Sequence, residues 1–232
     1  MKKYKDLLLV LISFLLYFTF SMIFSYIFRL LNINIKDLKP IVLNGILVLS
    51  DLIFIVIMFL IYKKELIKEF KEFISNKGKW FIKYIGIFLI SVLVMGILNV
   101  LLSKITNMDM SENEDQIRRL IKLLPIYMTF STVVYAPFIE ELLFRKCIRK
   151  VIKGNDKYTK IAYVLISAII FGLLHVITID ASFYDLLMGI PYMAVGLALA
   201  YIYLKTDNLF GSMQFHFMHN TILLIIQLMM RG

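Results

Sequence analysis

Apolar runs follow one another along the chain, separated by short stretches rich in Lys, Glu, Asp, Asn and Pro. Crossing a hydrocarbon core about 30 Å thick takes about 20 helical residues. Seven runs come up to that length or close to it: 7–28, 41–62, 81–102, 123–143, 161–178, 186–204 and 209–230. They are apolar on every face and lack the alternation of a lipid-exposed barrel strand. The pattern therefore predicts an all-α fold, a polytopic membrane helical bundle of about seven transmembrane helices. Residues 63–79 differ. There Leu66, Ile67, Phe70, Phe73 and Ile74 recur at helical spacing opposite Lys and Glu, which predicts an amphipathic helix on the membrane surface. The basic start before the first run has the look of a signal peptide, yet the run exceeds 20 residues and no small-residue cleavage site follows, so a retained helix is expected.

Two regions emerge. Residues 1–119 form an N-terminal three-helix membrane region that carries the surface helix, and 120–232 form a four-helix core that contains every histidine. Composition agrees with this reading. The chain is 60% hydrophobic and 18% charged with a mean hydropathy of +0.82, too few charges to cover a soluble fold of 232 residues. A single cysteine, Cys147, excludes an intrachain disulfide and a four-cysteine zinc or iron-sulfur site. Its place at the basic end of the fourth run suits palmitoylation or inert burial better than nucleophilic attack.

The net charge of +10 is a topology signal. With the N-terminus inside, the inner segments hold 17 of the 26 Lys and Arg residues and the outer ones 8, and the acidic stretch 109–115 falls outside. The basic residues then meet anionic lipid of the inner leaflet, and nucleic acid is not an expected partner. An integral protein of the cell membrane with a cytoplasmic N-terminus follows.

Ionisable residues inside a membrane helix cost about 2.5–3.5 kcal/mol each on insertion scales, so each one needs a partner or a function. Asn44 and Asp51 lie in the second run, Glu140 and Glu141 near the end of the fourth, and His175, His216, His219 and Asn220 in the fifth and seventh. Adjacent glutamates diverge by about 100° around a helix, so the two have different roles. Glu141 and Arg145 are four apart with the acid first, the favourable order for an ion pair. Glu140 is left free to face a polar cavity and act on water. A bland alternative places both glutamates at the interface. His216 and Asn220 project from one face, whereas His219 is turned away and reads as packing or indirect support. Depth counted from the basic ends puts Glu140 and His216 about a third of the way across, with His175 deeper. That suggests a site opening to the cytoplasm.

Glu-Glu-x-x-x-Arg at 140–145, Phe-x-x-x-His at 171–175 and His-x-x-x-Asn at 216–220 together resemble the CAAX prenyl protease and bacteriocin-processing family of intramembrane glutamic endopeptidases. The similarity covers about residues 120–230. It implies that Glu140, assisted by His175, activates water, that His216 and Asn220 donate to the oxyanion, and that Glu141, Arg145 and Phe171 give structural support. No cofactor is expected. If zinc is used instead, its ligands would be His175, His216 and Glu140, but a His-Glu-x-x-His helix is absent and Asn is an uncommon zinc ligand. The expected substrate is a hydrophobic or lipidated peptide or protein at the membrane.

Other chemistries fit less well. Ser212 lacks a serine-centred glycine motif, and Asp51 is the only mid-helix aspartate where an aspartyl protease needs two. A non-catalytic bacteriocin-immunity or membrane scaffold protein is the main competing function. Asp51 keeps a transporter in view.

Overall fold

A computed structural model describes residues 2–76, 78–106, 112–177 and 182–229. Every regular element among them is helical. Three long helices come first, α1 (Lys2–Leu30), α2 (Pro40–Ser75) and α3 (Lys79–Thr106), followed by α4 (Glu112–Leu123). The predicted fourth run is then a jointed rod instead of one regular helix. It consists of α5 (Pro125–Phe130), a π-helical stretch Ser131–Tyr135, α6 (Ala136–Glu141), a second π-helical stretch Leu142–Cys147, and α7 (Ile148–Val151). The chain continues through α8 (Lys157–Leu174), the pair α9 (Phe183–Leu187) and α10 (Ile190–Thr206), and α11 (Leu209–Met229). Counting α9 and α10 together, six of these segments are long and apolar enough to cross a membrane. The chain is an integral membrane protein of the all-α, polytopic kind.

Several predicted boundaries move. The separate surface helix at 63–79 is not present, because α2 runs unbroken to Ser75. No Gly or Pro falls between residues 46 and 75 to interrupt it. Leu66 and Glu69 are buried, and Phe70 and Phe73 meet Phe210, so part of this stretch faces protein while Ile67 and Ile74 stay exposed. The rod extends past residue 143 to Val151, since Leu142, Leu143, Phe144 and Cys147 are all core. Residues 112–115 of the expected acidic loop begin α4, while 109–111 lie outside the described residues, as do Thr178 and Met230. α8 stops at Leu174 and leaves His175 at its C-cap.

Packing centres on α10, which lies between α8 and α3 and also meets α11. Small residues let α8 and α10 approach closely. Gly196 faces Ala168, and a Cβ on Gly172 would stand 2.7 Å from the Gly189 carbonyl oxygen. At the mouth of α8, the Asp156 side chain accepts from the Thr159 backbone N–H, a standard N-cap. Hydrogen bonds from Thr159 hold that carboxyl below the usual carboxylate range.

The rod is fastened through the carbonyls its π turns release. Pro137 has no N–H, and the Ala136 N–H goes to the Ser131 carbonyl. The Thr132 carbonyl thus loses a helical donor and accepts Asn220 Nδ2 at 2.9 Å from α11. In the second π stretch Ser167 Oγ donates to the Phe144 carbonyl at 2.6 Å, and Tyr163 Oη to that of Arg145 at 3.4 Å. Asn44, flagged in the sequence, serves the fold, because its Oδ1 accepts the otherwise orphaned Tyr127 N–H in the first turn of α5.

At the basic end a partly buried charge network joins three segments. Lys146 Nζ pairs with Glu69 and lies 2.9 Å from Glu65 Oε2, and Lys150 reaches Glu65 at 2.6 Å. Glu69 Oε2 accepts the Leu209 N–H while Asn208 Nδ2 donates to the Glu69 carbonyl. α2 therefore caps α11 seven residues before His216.

Candidate active site

Glu140 and Glu141 are delivered by α6, between the two π stretches. Their divergence around the helix is realised. Glu141 is fully buried, and its Oε1 lies 3.3 Å from Arg145 Nη2 and 3.0 Å from His216 Nδ1. Arg145 is itself fully buried, donates to Ser167 Oγ at 3.0 Å, and places its guanidinium 4.7 Å from the centre of the Phe171 ring. Phe171 in turn meets both imidazoles, 4.4 Å from His175 and 5.6 Å from His216 between ring centres. One aromatic ring thus stands between the guanidinium and the histidines and supports both.

Glu140 turns the other way, into a cavity of about 300 Å³. Its Oε2 lies 3.8 Å from His175 Nε2 and 3.7 Å from His216 Nε2. Which ring nitrogen carries hydrogen follows from the partners. His175 Nδ1 is 2.7 Å from the Phe171 carbonyl, and His216 Nδ1 faces the Glu141 carboxylate. Both partners can only accept, so both Nδ1 atoms donate and both Nε2 atoms are left pointing at Glu140. A carboxylate oxygen and two imidazole nitrogens with no hydrogen of their own repel. The arrangement is satisfied when a proton or a water O–H lies among them. Separations of 3.7–3.8 Å are too long for direct hydrogen bonds but let one water touch carboxylate and imidazole together.

Asn220 lines the same cavity. One of its two amide hydrogens is spent on the Thr132 carbonyl, which fixes the orientation of the group. Glu140, His175, His216 and Asn220 are thus brought together, with Glu141, Arg145 and Phe171 behind them. His219 departs from its expected place, because it lines the cavity as well as packing edge-on against Phe88. Cys147 is fully buried and 3.1 Å from Tyr62 Oη, which agrees with inert burial and leaves no room for an acyl chain. Among the described residues no group of three or more His, Cys, Asp or Glu side chains is arranged to hold a metal ion.

Tyr192 and Tyr17 have no signal in the sequence. The Tyr192 ring stacks on His175 at 4.7 Å and 23°, and Tyr17 of α1 reaches the cavity wall. Only the fold brings α1 and α10 to this point. The cavity runs from Glu140 past Met128 and Asn220 to Ile117 and Gln227. The fully buried layer Leu142, Leu143 and Cys147 closes the opposite end. From Glu140 the cavity extends away from the basic network, whereas the depth count suggests a site opening toward it. That count uses distance along single helices, whereas the lining residues of the rod, Phe144 apart, lie on the N-terminal side of Glu140 and those of α11 on the C-terminal side of His216.

Residues 122–222 match the family model described as type II CAAX prenyl endopeptidase Rce1-like. "Putative membrane peptidase YdiL" of Bacillus subtilis strain 168 is 31% identical over 118 residues, which is 51% of this chain and 44% of that protein. "UPF0177 protein YvdC" of Lactococcus lactis subsp. lactis strain IL1403 is 30% identical over 121 residues, 52% of this chain and 43% of that protein. The aligned stretch is thus less than half the length of either relative. No solved structure matches.

Proposed function

We propose that this chain, whose residues 122–222 match the type II CAAX prenyl endopeptidase Rce1-like family model, is an intramembrane endopeptidase of the CAAX prenyl protease and bacteriocin-processing family using glutamate-activated water. The observation that carries this reading is the convergence of Glu140 Oε2 with two imidazole Nε2 atoms, at 3.7 and 3.8 Å, on the wall of the cavity that Asn220 also lines. Glu140 takes a proton from a water held against His175, and the hydroxide oxygen attacks the peptide carbonyl. The oxyanion that forms accepts from the free amide hydrogen of Asn220 and from His216 Nε2. For Nε2 to donate, the His216 ring takes a second proton from solvent before the attack and keeps it through the turnover, with the resulting charge lying against Glu141. Collapse of the adduct breaks the C–N bond, and the proton on Glu140 passes to the leaving amine.

The donor set supports a reaction without metal, because Asn220, an uncommon metal ligand, presents an amide hydrogen to the cavity. Met128, Phe144, Leu174 and Leu223 give it apolar walls, which suit a hydrophobic or lipid-modified segment drawn from the bilayer. The basic end, rich in Lys and Arg, is read as cytoplasmic. The purified protein, reconstituted in lipid nanodiscs and given a mixture of hydrophobic peptides, tests the assignment. Cleavage that persists after exhaustive chelation is the expected result. Loss of cleavage restored by zinc would transfer the chemistry to a metal, and no cleavage by the active-site-intact protein would favour the scaffold or immunity role.

A further inference from the structure

A second cavity, of about 500 Å³, lies between α1, α2 and the rod and shares Tyr17 and Leu174 with the first. Phe20, Phe24 and Phe28 of α1 and Tyr127 and Tyr135 of the rod make its wall aromatic. Asp51 points into it. The residue is only 9% exposed, and its Oδ2 is buried with no hydrogen-bond partner. Among the described residues no Lys, Arg or His lines the cavity. A carboxylate at membrane depth with one oxygen unmatched is costly, and it calls for a guest that brings the missing donor or charge.

The surroundings define that guest. Aromatic faces around an acid attract a cation, and the length of the aromatic wall accommodates an apolar stem. Resting on the peptidase reading above, we propose that this cavity is a specificity subsite for a Lys or Arg side chain of the substrate, with Asp51 as its counter-charge and the aromatic wall receiving its methylenes. The shared wall at Tyr17 and Leu174 places the subsite within a few extended residues, about 3.3 Å each, of the bond held at Glu140.

Two readouts test this. First, mass spectrometry of a randomised peptide library digested by the purified wild type, D51N and D51E gives residue preference at each position around the cut. Wild type and D51E are expected to favour Lys or Arg at one position by about tenfold or more, and D51N to lose that preference. Cleavage with no cationic preference, or a D51N profile like that of wild type, would overturn the proposal and leave the peptidase reading intact. Second, thermal unfolding of E140Q in nanodiscs is followed with dodecylamine or dodecanol. The amine is expected to raise the unfolding temperature more than the alcohol in E140Q but not in D51N/E140Q. That result without any peptide cleavage would keep the cation site and remove the peptidase. Equal response to amine and alcohol would remove the site.

Discussion

His216 presents its Nδ1 to Glu141 at 3.0 Å, so the neighbouring carboxylate that never faces the cavity decides how the imidazole on the cavity wall is held. Glu141 also closes the fully buried pair with Arg145 at 3.3 Å. Two roles, holding the rod and orienting the His216 ring, thus pass through one side chain. Removing its charge leaves a guanidinium buried without its counter-ion. Glu141→Gln is expected to lower stability by about 3–5 kcal/mol, the usual cost of breaking a buried pair from one side. Denaturant unfolding of the purified variant in detergent checks this, and a change under about 1 kcal/mol would mean that the pair is not holding the fold.

Asn220 is expected to act on the rate of the chemical step. Asn220→Ala removes the proposed oxyanion donor and frees the Thr132 carbonyl, and should reduce kcat by about 10²–10³-fold. Steady-state kinetics that show a raised KM with kcat unchanged would assign Asn220 to binding instead.

Gly172 stands where α8 and α10 nearly touch, one turn before His175. A methyl there meets the Gly189 carbonyl oxygen at 2.7 Å, which is backbone and cannot swing aside. Gly172→Ala should cost about 1–3 kcal/mol and displace His175 from Glu140. Thermal unfolding together with activity checks it, and a variant as stable and active as wild type would show that the helices have slack.

The direction of the cavity mouth can be read chemically. Gln227→Cys, near the end remote from the basic network, is expected to react with a membrane-impermeant maleimide added to intact cells, while the fully buried Cys147 stays silent. Labelling of residue 227 only after the membrane is opened from the inside would reverse the assigned orientation.

The membrane class, the helical bundle and the core residues of the site are legible in the sequence because each rests on local pattern. Long apolar runs state their solvent, and an acid or imidazole inside one states that it has a partner. Glu141 and Arg145 can be paired from their spacing alone. What stays hidden depends on long-range packing. The Glu141 to His216 bond joins residues 75 positions apart. Tyr17 and Tyr192 arrive from helices that carry no ionisable Asp, Glu, His, Lys or Arg in mid-span. The amphipathic stripe at 63–79 reads as lipid-facing because a stripe does not say whether lipid or protein covers it. Lys146 and Asn208, distant in sequence, are the residues that meet it around Glu69. The π turns are likewise invisible, although Pro137 marks the place where one is needed.

The central claim is that Glu140 activates the water that cuts the peptide. Digestion of a hydrophobic peptide mixture in water enriched in oxygen-18, by wild type and by Glu140→Gln at matched folding, measures it directly. Wild type should place one labelled oxygen in each new carboxyl terminus, and the variant should be slower by at least about 10²-fold, the scale of general-base catalysis. Labelled product formed by Glu140→Gln at the wild-type rate would contradict the account.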